Sequence, residues 1–261
     1  MPLPLYHPEH AKQIHNAALD YAIRVQRAID QQPDVTNSTR VAGAALMTLA
    51  HEMLCLHRAT SSVCIKGWAF AAPLMLRAML EAMCSTLVIV NNQWPDVAAF
   101  KYFYSYTKED LSDPSVDPQL VAAETRANID IHMTQMTAED RESARSYLRA
   151  PRVGHFWYGG EFAGPTAILR RYAVGEVLDL YRLLSIAAHA GFLGMRMFRD
   201  NPDLLDVNPR EDLRATGFAL VGSSRLLSEG TRERVAFGRF QDDGYEVVMR
   251  VIRGLHEWNP E

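Results

Sequence analysis

Cysteine is scarce. The 261-residue chain has three, Cys55, Cys64 and Cys84, an odd number with no C-x-x-C pair among them. That spacing argues against a disulfide framework and a paired-cysteine zinc site, and the three read as reduced thiols. The opening "MPLPLYHPEH" has neither a basic n-region nor an apolar h-region, so the expected location is the cytoplasm. Positive charge is not in excess either. Lys and Arg total 27 against 31 Asp and Glu, for a net charge of −4 and a pI near 6.1. A broadly basic surface is excluded, and any polyanion contact requires a local patch.

A long uncharged apolar run is also missing. The longest apolar stretch, 68–94, carries Arg77 and Glu81 near its middle. Neither half reaches the roughly 18 residues of a membrane span, and a charge at that depth is costly in lipid. A helix buried in protein is expected there, with no membrane association. The chain has no P-loop, no G-x-G-x-x-G, no nucleophile elbow and no paired zinc motif, so neither cofactor nor metal is expected. Internal repeats, low-complexity segments and Ser/Gly linkers are absent.

What the sequence does have is helical periodicity. Hydrophobic residues make up 48% and charged residues 22%, the balance of a globular chain with a sizeable core. Ile14, Ala18, Tyr21, Ala22 and Val25 form an i, i+3/i+4 stripe over 8–29. Asn37 or Ser38 offers an N-cap for a second helix ending near Cys64, and Gly67 marks the next turn. A third helix is expected over 71–91, with Pro73 in its first turn. "WPD" at 94–96 opens a fourth, Asp117-Pro118 a fifth, and Thr137 with Asp140 caps a sixth. The aromatic, Gly/Pro-rich loop "APRVGHFWYGGEFAGP" interrupts the pattern. Further helices are expected over 166–198, with a bend near Gly175, over 210–227 and over 245–258, with a short extended piece at 234–240. The expected architecture is all-α: one domain over 1–261, a bundle of about seven to nine helices.

Two polar sets stand inside apolar helices. Arg77 and Glu81, the only charges between Gly67 and Asp96, share a face at i, i+4 and can pair when buried. Arg182, Ser185 and His189 form the second. Seven residues at about 100° each return Arg182 and His189 to nearly one angular position, about 10 Å apart along the axis. Tyr181 sits beside this stripe. One helix thereby offers a fixed cation, a hydroxyl and a group titrating near neutrality. Two readings stand. The set is catalytic, or it is a structural network in which Ser185 or a backbone carbonyl satisfies His189 and Arg182 pairs with Glu81 or Asp179. His155, Trp157 and Tyr158 suit either a stacking platform for a ligand ring or an aromatic plug. "HEMLC" places His51 and Cys55 at i, i+4 around Glu52, but no third metal ligand is evident.

Taken in order, "PLMLRAMLEA", "WPDVAAF", "HFWYGG" and "YRLLSIAAHAG" resemble a bacterial family of helical domains of unknown function, over about 67–196; the helices of 209–261 are expected to pack on that core. The Arg182-x6-His189 spacing also resembles the R-x(4–6)-H signature of the HEPN superfamily of helical nucleases, with Leu183 where many active members carry a polar residue. This resemblance implies a homodimeric, metal-independent endoribonuclease of the toxin or phage-defence kind, with RNA as its partner. It implies His189 as general acid or base and Arg182 as the group stabilising the scissile phosphate. Arg77 becomes a second phosphate contact if its helix faces that of Arg182, with Glu81 orienting it and Ser185, Tyr181 and Trp157 in support. The alternative is a non-catalytic helical protein whose polar network serves a small-molecule ligand or a partner.

Overall fold

The computed structural model describes residues 8–31, 40–110, 118–149, 157, 158, 161–172, 177, 178, 180, 181, 184, 213–238 and 242–256. These are 88% helical with no strand among them, as the periodicity predicts. The helices are α1 (Pro8–Asp30), α2 (Arg40–Ile65), α3 (Ala72–Val90), α4 (Pro95–Asp110), α5 (Pro118–Gln135), α6 (Ala138–Arg149), α7 (Pro165–Arg171), α8 (Leu213–Gly238) and α9 (Gly244–His256). The expected caps at Asn37 and Ser38 and the expected bend near Gly175 lie outside the described residues.

Helix α3 is central and packs on α2, α4, α7 and α8. Leu76, Met79, Leu80 and Met83 are fully enclosed, each contributing about 1.5–3 kcal/mol by leaving water. By length and composition alone Ala72–Val90 could cross a bilayer, but 61% of its apolar window is buried inside protein. All five residues of the α1 stripe are buried, packed mainly against α8 and α9.

Backbone chemistry places the ends. Gly67 adopts φ 77° and closes α2 in a Schellman motif. Trp68 N–H donates to Val63 O at 2.8 Å and Gly67 N–H to Cys64 O at 3.1 Å, which satisfies carbonyls the helix leaves open. Thr137 caps α6 by accepting the Asp140 N–H at 3.2 Å, while its hydroxyl donates to Asp140 Oδ2 at 2.8 Å. The start of α2 is capped from a distance. Asp96 Oδ1, in the first turn of α4, accepts the Ala42 N–H at 2.8 Å, a carboxylate at a helix N-terminus.

Two expectations are revised. The helix expected over 166–198 is interrupted: α7 ends at Arg171, and Tyr172 takes φ −98°, ψ 7° as its ring packs on Phe162 at 5.9 Å. Helical conformation returns at 177, 178, 180, 181 and 184. The extended piece expected at 234–240 is helical up to Gly238. Gly230 does not break α8; a Cβ there would meet Met53 Cε and Sδ of α2 at 2.9 Å, so the glycine permits close helix contact.

Candidate functional site

Spacing on α3 builds the site. Arg77, Glu81 and Ser85 follow at i, i+4, i+8 and form one stripe. Arg77 Nε donates to Glu81 Oε1 at 2.6 Å. Its side chain is 17% exposed and that of Glu81 45%, so the pair reaches solvent through the carboxylate. Arg77 Nη2 donates to Tyr181 Oη at 3.2 Å, and the guanidinium carbon stands 4.3 Å from the Tyr181 ring centroid. Burial works against the charged guanidinium; the Glu81 carboxylate and the Tyr181 hydroxyl outweigh it and hold Arg77 above its ordinary pKa.

About one turn beyond Glu81, Trp157 Nε1 donates to Ser85 Oγ at 3.1 Å. The Trp157 ring meets Tyr102 of α4 and Tyr158 edge-on, at 5.7 and 5.4 Å between centroids. Tyr158 is buried, and that burial, with Cys84 and Glu81 close by, raises its hydroxyl well above the usual range. Burial, followed by the Glu81 charge, pushes the Cys84 thiol up to about 12, which leaves it an unreactive core thiol. Glu52 of α2 is raised by burial and then by Glu81, so a second carboxyl senses the cluster.

The structure thus brings together Arg77, Glu81, Tyr181 and Trp157, drawn from three separated stretches of chain. Ser85 and Tyr102 belong to the cluster without having been singled out in the sequence. The signal for Ser85 was present, because it continues the i, i+4 stripe of Arg77 and Glu81; Tyr102 is brought in by tertiary packing alone. Arg182, Ser185, His189 and His155 lie outside the described residues. His51 and Cys55 are neighbours on an exposed face of α2, with Nε2 and Sγ 3.5 Å apart, and no group of three or more metal-ligating side chains occurs among the described residues.

The chemistry available at the cluster is limited and specific: a guanidinium clamped by a carboxylate, a phenol stacked under it, and an indole N–H held by a hydroxyl. Comparison with models of protein families, with curated proteins and with solved structures finds no match.

Proposed function

We propose that the stripe on α3 and the segment 181–189 form one site, and that the protein is a metal-independent endoribonuclease of the helical toxin or phage-defence kind, acting as a homodimer. One observation carries this reading. The Arg77 guanidinium hydrogen-bonds and stacks on Tyr181, the residue directly before Arg182, which supports reading the two polar sets as one site.

In this reading the nucleophile is the RNA's own 2′-hydroxyl. His189 removes its proton as O2′ attacks the adjacent phosphorus, and the P–O5′ bond breaks as a solvent water gives a proton to the departing oxygen. Arg182 holds the phosphate oxygens as charge builds on them, since a planar guanidinium fork matches that geometry. Arg77 adds a second cation whose orientation Glu81 sets, and Trp157 offers an aromatic edge to an unstacked base. The products are a 2′,3′-cyclic phosphate and a free 5′-hydroxyl.

A second reading, binding without catalysis, is favoured by the pairing of Arg77 itself. Its guanidinium is engaged by Glu81 and Tyr181, and Glu52 adds further negative charge nearby. Arg77→Met separates the two. As a phosphate contact, Arg77 lost should slow cleavage of labelled RNA by about 10²–10³-fold with Tm shifted only modestly. Under the binding reading the wild type shows no cleavage, and Arg77→Met lowers Tm because Glu81 loses its partner.

A further inference from the structure

A pocket of about 300 Å³ opens between α1 and the C-terminal end of α2, and none of its lining residues belongs to the cluster around Arg77. One stripe of α2 builds its wall. Arg58, Ser61, Ser62 and Ile65 follow at i, i+3, i+4 and i+7, with Lys66 directly beyond the helix. All of these but Ser61 are exposed. His15 of α1 completes the lining and is only 8% exposed. Among the described residues the polar groups of this wall have no partners. Arg58 and Lys66 form no ion pair and no side-chain hydrogen bond there, and no carboxylate lines the pocket. Thr60 gives its hydroxyl to the Leu56 carbonyl at 2.8 Å, whereas those of Ser61 and Ser62 are bonded to no described residue. Neither ring nitrogen of His15 is hydrogen-bonded there either; Nδ1 is enclosed, which leaves Nε2 to face the pocket. The helix end does not oppose an anion strongly, because the carbonyls of Ser62, Val63 and Cys64 accept the N–H groups of Lys66, Trp68 and Gly67.

We propose that this pocket binds a terminal phosphate monoester, with Arg58 and Lys66 on the dianion, Ser61, Ser62 and His15 donating to its oxygens, and Ile65 against the organic group it carries. Charge selects the head group. Two cations with no carboxylate beside them suit two negative charges, and a guanidinium fork matches phosphate oxygens. Donor number selects it again. Hydroxyls and an imidazole N–H from two helices serve the several oxygens of a tetrahedral group better than a planar carboxylate. The volume of about 300 Å³ stands at the lower end of the roughly 300–1,000 Å³ of small-molecule sites, enough for a phosphate and a small substituent. Ile65 is 76% exposed and gives that substituent an apolar surface. The monoester can belong to a free small molecule or to the 5′ end of a nucleic-acid strand.

The test is calorimetric titration of the full chain with phenyl phosphate at low salt. Saturable one-site binding is expected, with benzoate and phenol at least tenfold weaker. Arg58→Gln and Lys66→Gln should each weaken it about tenfold, the loss of one charge-assisted hydrogen bond. Ser62→Glu, which sets a carboxylate in the pocket, should abolish it. Arg145→Gln removes an exposed cation from α6 and should leave it unchanged. These positions lie on the surface, and a cooperative melt checks each variant. A thymidine dinucleotide with or without a 5′-phosphate, which lacks a 2′-hydroxyl and cannot be cleaved, then competes with phenyl phosphate. Displacement by the 5′-phosphorylated form alone assigns the site to strand ends; displacement by neither assigns it to free small molecules. Equal displacement by both, no saturable binding at millimolar phenyl phosphate, binding that survives Ser62→Glu, or an equal loss in Arg145→Gln would overturn the proposal.

Discussion

His57 is fully buried, and its two ring nitrogens are held by different helices. Nε2 lies 3.2 Å from the His15 carbonyl oxygen of α1, and Nδ1 3.0 Å from Ser223 Oγ of α8. A carbonyl only accepts, so Nε2 carries the proton and the Ser223 hydroxyl donates to Nδ1. The Leu220 carbonyl, which Ser223 also reaches, is served by Ser224 Oγ at 2.6 Å. The His15 ring stacks on His57 at 3.9 Å. Burial, then the His15 ring, pushes the His57 pKa down to about 3, and burial lowers His15 as well. Below pH 6.5, the ordinary histidine value, the unfolded chain takes up protons that the native fold refuses. The stability these neutral rings contribute is therefore complete above pH 6.5 and lost as pH falls toward 3. Urea unfolding between pH 7 and pH 4 should show a decline approaching about 1.4 kcal/mol per pH unit from His57, with His15 acting in the same direction. The raised carboxyls of Glu52 and Asp96 act in the opposite sense, so the decisive quantity is the difference from His57→Gln. That variant should give a flatter profile; a parallel one would contradict the account.

At the scale of elements, two helix ends make separate predictions for α2. Gly67→Ala forces a Cβ into the left-handed region at φ 77° and should cost about 1–2 kcal/mol in chemical denaturation. Asp96→Ala removes the acceptor for the Ala42 N–H and should cost about 0.5–2 kcal/mol; an unchanged midpoint would mean that water serves that amide equally well. The two positions differ in how they could be read. Gly67, Pro118 and the Thr137/Asp140 pair announce their helix ends locally, and the α1 stripe follows from periodicity, so these features were legible in the sequence. Asp96 acts on a backbone amide 54 residues away, and no local rule finds such a cap. The same limit explains α8. The sequence pattern ends that helix near residue 227, yet it runs on through Gly230, where Met53 of another helix fills the space the missing Cβ leaves. In the site, the i, i+4 rule was enough for Arg77 and Glu81, whereas the Trp157–Ser85 bond joins residues 72 positions apart and required the fold.

At the scale of the molecule, net charge and local charge point in different directions. The chain is acidic, at −4, so under the proposed reading RNA is attracted by a small cationic site. A ribonuclease built on Arg77 and Arg182 should therefore be salt-sensitive at the level of a few phosphate contacts, not many. For a single-stranded substrate, each neutralised phosphate contributes about −0.7 to the slope of log affinity against log salt. A slope near −1.5 to −2, measured by fluorescence anisotropy between 50 and 200 mM salt, fits two or three contacts. A slope steeper than −4 would require a basic surface that this composition does not supply.

The central claim, that segment 181–189 is catalytic, is tested most directly by incubating labelled single-stranded and transfer RNA with wild type and with His189→Ala at matched folding, EDTA present throughout. The account predicts cleavage by the wild type that survives EDTA, leaves 2′,3′-cyclic phosphate ends, and disappears in a folded His189→Ala. No cleavage by either protein, together with a large fall in Tm for the variant, would contradict it and make His189 part of a structural network.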